Sequence, residues 1–300
     1  MNRRSAVANP YNEHTVISVL NLGRCDFGTA LHLQETLVEL RKQERIGNTL
    51  LFVEHSPVIT LGRNANDSNI VVPREFLQQK GVELFEINRG GDVTFHGPGQ
   101  LVAYPIFDLR SFSPKLGAVD FVRRLEDVLM RICAQYQIET QRVAGMTGVW
   151  TMEHEPLRVA RERRGGVERD YARDAELEAP RTESARKIAA IGVHISRGVT
   201  SHGFALNVTT DLDYFKLIVP CGLTKPVTSI EFETGAMPSI EDVANLASRA
   251  FGETFQSQML WLDSIDDLIP PEGDPANPQD TPNREPAELR AIRGDGDQLA

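Results

Sequence analysis

Cysteine is scarce in this 300-residue chain: Cys25, Cys133 and Cys221 are all there is. Their wide spacing provides neither a disulfide framework nor a C-x-x-C metal site. Lysine is also rare, six of the 32 basic residues. The net charge of −10 is unevenly spread: residues 263–300 hold ten Asp and Glu against Arg284, Arg290 and Arg293, which leaves the body near −3. Such a balance gives no basic face for nucleic acid. No apolar run reaches the roughly 18 residues of a membrane span, and MNRRSAVANPYNEH lacks the pattern of a secretory signal, so no membrane segment and a cytoplasmic location are expected. Neither G-x-G-x-x-G nor G-K-[ST] occurs, which removes the common nucleotide fingerprints.

What the chain does have is enough apolar residues, 41%, for a sizeable core. One domain with appendages is expected: an arm over 1–13, a body over 14–262, a polar insertion at about 152–186 and a disordered acidic, proline-rich tail over 263–300. Residues 89–107, RGGDVTFHGPGQLVAYPIF, place four glycines and a proline around His96 before an apolar run. Glycine allows positive φ or close approach of a ligand to the backbone. The alternation at Val93 and Phe95 and the apolar run from Leu101 predict a hairpin closed by the HGPG turn, with Arg89 and His96 toward a cavity.

Earlier in the chain, residues 15–20 read as a strand, and Phe27, Leu31, Gln34, Leu37 and Val38 share a helix face. Residues 49–54 and 58–61 are expected to pair as strands, ahead of a short helix at 73–79 and a strand at 82–87. From Ala118 a long helix carries Val122, Leu125, Leu129, Ile132, Cys133 and Tyr136 on one stripe, which makes Cys133 a core residue. Thr147 to Thr151 reads as a strand. A second hairpin follows from Lys187 to Val208, broken at Arg197-Gly198, then a short helix over 211–215. Ser239 and Asp242 cap a helix with Val243, Leu246, Ala250 and Phe251. Cys221 differs from Cys133: it lies between Pro220 and Gly222, in a predicted tight turn that presents its side chain. A nucleophilic thiol needs a nearby cation to ionise. Lys187, opening a strand, is either that cation or a strand-edge charge.

Three segments, RGGDVTFHGPGQLVAYPI, RKIAAIGVHISRGVTSHGFALNV and PCGL, together resemble the lipoyl(octanoyl) transferase family in the right order. The resemblance implies an α+β fold, a mixed β-sheet with packed helices like the catalytic domain of lipoate and biotin protein ligases. It implies transfer of an octanoyl group from octanoyl-acyl carrier protein to a lysine of lipoyl domains, in 2-oxoacid dehydrogenase E2 subunits or glycine-cleavage H protein, through a cysteine thioester. No cofactor and no metal are implied. The catalytic pair falls on Cys221 and Lys187. Substrate binding falls on Arg89, Gly90, Gly91, Asp92, Val93, Thr94, Phe95 and His96, on Ala190, Ile191 and Gly192, and on Gly203, Phe204 and Ala205. Lys187 is the first choice for base in the second step and His96 the next, while His202 would order the acyl pocket. Three alternatives remain open here: an ATP-dependent lipoate ligase, a thioesterase using Cys221, and a non-catalytic acyl-binding module.

Overall fold

The computed structural model describes residues 16–152, 185–219 and 226–268. The arm over 1–13, residues 153–184 of the insertion, the turn at Pro220-Cys221-Gly222 and the tail beyond 268 lie outside the described residues. The first strand, β1 (Val16–Cys25), leads into α1 (Phe27–Lys42), whose start is set by Asp26: its carboxylate accepts the Thr29 N–H at 2.8 Å. That cap satisfies one of the donors a helix leaves unpaired at its N-terminus. Then come β2 (Asn48–His55), β3 (Val58–Leu61), α2 (Arg74–Gln79), β4 (Glu83–Glu86), β5 (Val93–His96) and β6 (Gln100–Ile106). The second half holds α3 (Ala118–Gln135), β7 (Thr140–Val143), β8 (Met146–Thr151), β9 (Lys187–Ser196), β10 (Val199–Asn207), α4 (Ile230–Thr234), α5 (Ile240–Phe255) and β11 (Gln258–Trp261). As its sequence predicts, α5 is capped by Ser239, whose hydroxyl accepts the Asp242 N–H at 3.0 Å.

Eight strands form one mixed sheet in the order β11-β1-β2-β6-β10-β9-β8-β7, and β4-β3-β5 form a small second sheet. The fold is α+β. Helices α3 and α5 cover one face of the large sheet, where the Phe107 ring meets those of Phe121, Phe251 and Phe255. On the opposite face α1 buries Leu33 and Leu37 against Leu51, Val53 and Val102. The small sheet adjoins the start of α1, with Phe85 of β4 touching Phe27 at 5.0 Å between ring centres.

Two strand pairings differ from the sequence expectation. β2 and β3 do not pair, because β2 lies between β1 and β6 while β3 lies between β4 and β5. Likewise β5 and β6 form no hairpin: β5 pairs with β3 and β6 with β2 and β10, so the HGPG turn carries the chain from one sheet to the other. Gly99 fixes this crossing. It has φ +77°, and a Cβ there would lie 2.6 Å from the Thr209 carbonyl, whose own N–H bonds back to Gly99 O at 2.9 Å. The β9–β10 hairpin does form, closed by Arg197 and Gly198 at φ 52° and 85°, the left-handed pair that a two-residue turn requires.

Order also extends past the expected limits of the insertion and the tail. Ala185 is fully buried, and Arg186 grips Glu233 through two bonds of 2.9 and 2.8 Å. After Asp263 the chain makes a 3-10 turn, Ile265–Leu268, whose Leu268 enters the α1 layer. One leucine among the acids thus anchors a further turn past Asp263.

Candidate active site

A cavity of about 310 Å³ opens between the large sheet and the loop that precedes β5. Its sheet wall is made where β9 and β10 carry almost no side chain: Gly203 stands opposite Gly192, and Ala205 opposite Ala190. β6 contributes Gln100, Val102 and Tyr104. The glycines matter because backbone lies on backbone here. The Gly90 N–H donates to Val193 O at 3.0 Å, and a Cβ on Gly192 would come 2.8 Å from Gly90 O.

Arg89 brings a buried positive charge to this wall, held by Thr60: Nη2 donates to the carbonyl at 2.7 Å and Nε to Oγ1 at 3.2 Å. Asp92 shapes the same loop, accepting from Val93 N–H at 2.7 Å and from Asn69 Nδ2 at 2.6 Å. Gly91, Val93, Thr94, Ile191 and Phe204 also line the cavity. Gly90 acts through the backbone clamp. Phe95 is not a lining residue: its ring stacks on Tyr214 at 4.5 Å in the apolar cluster under the small sheet.

Three histidines are buried around the cavity, and burial keeps each neutral near pH 7. His96 is pushed down to about 3, with His55 adding to the effect of burial; His55 falls to about 4; His202 falls to about 4, with Arg89 next after burial. Hydrogen bonds define the tautomers. His96 Nδ1–H donates to Gln100 Oε1 at 2.7 Å, because the Gln100 amide is used on Phe95 O and Asn207 Oδ1. In His55, Nδ1–H donates to Cys25 O at 3.0 Å and Nε2 accepts the Tyr104 hydroxyl at 2.7 Å. His202 stands in left-handed backbone at φ 55°, its N–H on Gln34 Oε1 and its Nε2–H on Asn88 Oδ1 at 2.7 Å. With so low a proton affinity, His96 suits a hydrogen-bonding role better than that of a base working near neutrality.

Lys187, the first residue of β9, also lines the cavity, with Nζ 4.7 Å from the centre of the Trp150 indole. Its backbone captures the segment that follows residue 225. Lys187 N–H donates to Pro226 O at 2.9 Å, Thr228 N–H donates to Lys187 O at 2.9 Å, and Val227, itself a lining residue, bridges to Lys187. A buried polar chain reinforces this, running from His96 through Gln100 and Asn207 to the Thr228 carbonyl at 2.9 Å. Before residue 220 the chain is tied as well: Val219 N–H donates to Asn69 O at 2.8 Å, and Asn69 holds Asp92. Cys221 itself lies outside the described residues; the flank after 225 is attached to Lys187 on the cavity wall, and the flank before 220 to Asn69, which holds the lining residue Asp92.

Burial disfavours the thiolate at the other two cysteines. Burial drives Cys133 up to about 12, and burial with the nearby Asp26 carboxylate raises Cys25. Tyr104, Gln100, Asn207 and Phe27 are lining residues that sequence reasoning passed over. For Gln100 and Asn207 a signal was present, an amide interrupting an apolar strand; Tyr104 and Phe27 read as ordinary core. Among the described residues there is no cluster of His, Cys, Asp and Glu able to hold a metal ion, and no helix long and apolar enough to cross a membrane.

Residues 26–252 match the family described as the lipoyl protein ligase A/B catalytic domain. Among solved structures the chain resembles a bipartite lipoate protein ligase from Thermoplasma acidophilum, with TM-score 0.59 and 14% identity over 85% of this chain and 91% of that one. It also resembles a lipoate-protein ligase A bound with ATP, with TM-score 0.57 and 15% identity over 84% and 92%. The family match thus makes this a lipoyl protein ligase A/B catalytic domain, with the fold that those structures share. Curated relatives narrow this: an octanoyltransferase of Koribacter versatilis is 54% identical over 93% of this chain and 98% of its own, and one of Acidobacterium capsulatum is 52% identical over 85% and 96%. The chain belongs to the octanoyltransferase family and is an acyltransferase enzyme. The Koribacter match leaves fewer residues unpaired than the segment 263–300 contains, so it reaches into the acidic tail.

Proposed function

We propose that this enzyme moves an octanoyl group from octanoyl-acyl carrier protein to a lipoyl-domain lysine, of a 2-oxoacid dehydrogenase E2 subunit or glycine-cleavage H protein, through a thioester on Cys221. The observation that carries the reading is the clamp of Pro226 to Thr228 onto Lys187 at the wall of a small cavity floored by the glycines and alanines of β9 and β10. It tethers the chain five residues beyond Cys221 beside the Lys187 cation. An ammonium close to a thiol lowers its pKa, and each unit is worth about 1.4 kcal/mol.

In the first step the Cys221 thiolate attacks the donor carbonyl, the C–S bond to the carrier thiol breaks, and that departing thiolate takes the proton of the Lys187 ammonium, which leaves Lys187 neutral for the second step. Backbone N–H groups in the glycine-rich loop hold the developing oxyanion. In the second step the neutral acceptor amine attacks the Cys221 thioester, an amide forms, and the Cys221 thiolate is regenerated as the amine proton passes to a base. Lys187 serves as that base, since burial leaves His96 too weakly basic. The donor thioester is already activated, so ATP has no part.

Intact-mass measurement after mixing the enzyme with octanoyl-acyl carrier protein tests this. A single octanoyl adduct, removed by hydroxylamine, absent in Cys221→Ala and discharged onto added lipoyl domain, is expected. Transfer that persists in Cys221→Ala, or that starts only with free octanoate and ATP, would overturn the thioester route; discharge to water alone would make the enzyme a thioesterase.

A further inference from the structure

Where the β9–β10 ladder ends, a side chain takes over from the backbone. The last pair is Ala189 with Leu206. Two residues before Ala189, Lys187 bonds instead to the segment from Pro226 to Thr228: its N–H donates to Pro226 O, its carbonyl accepts the Thr228 N–H, and Val227 bridges to it in parallel. Asn207, one residue past the end of the ladder on β10, joins the same segment from another strand. Its Nδ2 donates to Thr228 O at 2.9 Å, and its Oδ1 accepts Gln100 Nε2 at 2.9 Å. Gln100 is its register partner on β6 and donates also to Phe95 O at 3.2 Å. Asn207 is 4% exposed and Thr228 fully buried, so both groups are shut off from the water that could replace the bond between them.

We propose that Asn207 is a positioning residue for the transfer, setting how the segment that returns from Cys221 sits against Lys187. This deepens the acyl-transfer reading and rests on it for the role of Cys221. The two backbone bonds to Lys187 both end on one residue, so alone they leave the segment able to swing about it as on a hinge. The Asn207 bond comes from a different strand and braces the segment against that swing. Three residues after Thr228, the Glu231 N–H on Val208 O fixes the start of α4 to the same end of β10. Asn207 acts through Thr228 rather than on the reacting atoms. A displacement of about 1 Å in a catalytic arrangement costs on the order of a hundredfold in rate, so loss of the brace shows in rate before it shows in binding.

The test compares wild type, Asn207→Leu and Asn207→Ser as whole chains. Leucine keeps the size of the side chain and gives up both bonds, and serine is too short to reach Thr228. Two rates are read at pH 7: iodoacetamide labelling of Cys221, located by peptide mass, and single-turnover octanoyl-enzyme formation against the concentration of octanoyl-acyl carrier protein. In both variants each rate falls at least about tenfold, while the half-saturating donor concentration stays within about threefold of wild type. Cys133, fully buried, stays unlabelled in a folded variant; if Asn207→Leu exposes it, Asn207→Ser decides alone. Both rates at the wild-type level in a folded variant, or a loss confined to half-saturation, would overturn the proposal. A wild-type Cys221 that labels no faster than free cysteine would overturn it together with the thioester reading, whereas fast labelling kept in both variants overturns the positioning role alone.

Discussion

Lowering the pH from 7 to 5 is expected to destabilise this enzyme steeply, because His55, His96 and His202 must stay neutral to remain where they are. Burial lowers them from 6.5 to about 4, 3 and 4 respectively. In the unfolded chain each takes up a proton near 6.5, so the unfolded state binds more protons and gains as the pH falls. The stabilisation is complete above 6.5 and is progressively lost toward pH 4 and below. Over the two units from pH 7 to 5, linkage gives about 1.8 kcal/mol for each histidine and about 5 kcal/mol for the three. That is comparable to the entire stability of an ordinary domain, roughly 5–15 kcal/mol. Asp26 and Asp108, which folding holds below their ordinary values, add to the loss only in more acidic solution. Urea denaturation followed by tryptophan fluorescence at half-unit steps would measure it. Near pH 5.5 the slope of unfolding free energy against pH should correspond to nearly three protons, and His55→Gln should remove one of them. A slope below one proton would show that the three rings are not held neutral by burial, and would undo the argument that denies His96 the role of base.

Two further outcomes are expected. Lys187→Arg keeps a cation beside the Trp150 ring but cannot release its proton, so acylation of Cys221 should partly survive while octanoyl-enzyme accumulates in the presence of lipoyl domain; rapid-quench mass spectrometry would see this, and transfer to the acceptor at the wild-type rate would leave Lys187 as an electrostatic partner alone. Ending the chain at Asp263 should cost about 2 kcal/mol relative to a chain ending at Leu268, because Leu268 is 6% exposed in the α1 layer, and equal urea midpoints for the two would refute that.

How much of this was legible in the sequence depends on the range of the interaction that decides each feature. Helices α3 and α5 follow from apolar stripes and, for α5, from the Ser239 cap, all within a few residues of one another. The β9–β10 hairpin follows from Arg197-Gly198 for the same reason. The HGPG segment was legible as a turn but not as a passage between sheets, because a strand's partner is chosen by segments far away in the chain: β3 for β5, β2 and β10 for β6. Nothing local at residues 97–99 distinguishes the two outcomes.

The cavity shows the same division. Its wall was readable from glycines and alanines in strands, an arrangement that costs packing and so calls for something else to fill the space. Phe27 was unreadable for the opposite reason. A phenylalanine opening an amphipathic helix is what any core would have, and only its place among the lining residues sets it apart from ordinary packing. Phe95 carries the converse lesson: it sits inside the most distinctive motif of the chain, yet its ring stacks on Tyr214 and does not line the cavity that Thr94 and His96 reach. A motif marks a stretch of backbone; which of its side chains meet the substrate is decided by the alternation of the strand and by the layer on each side of it.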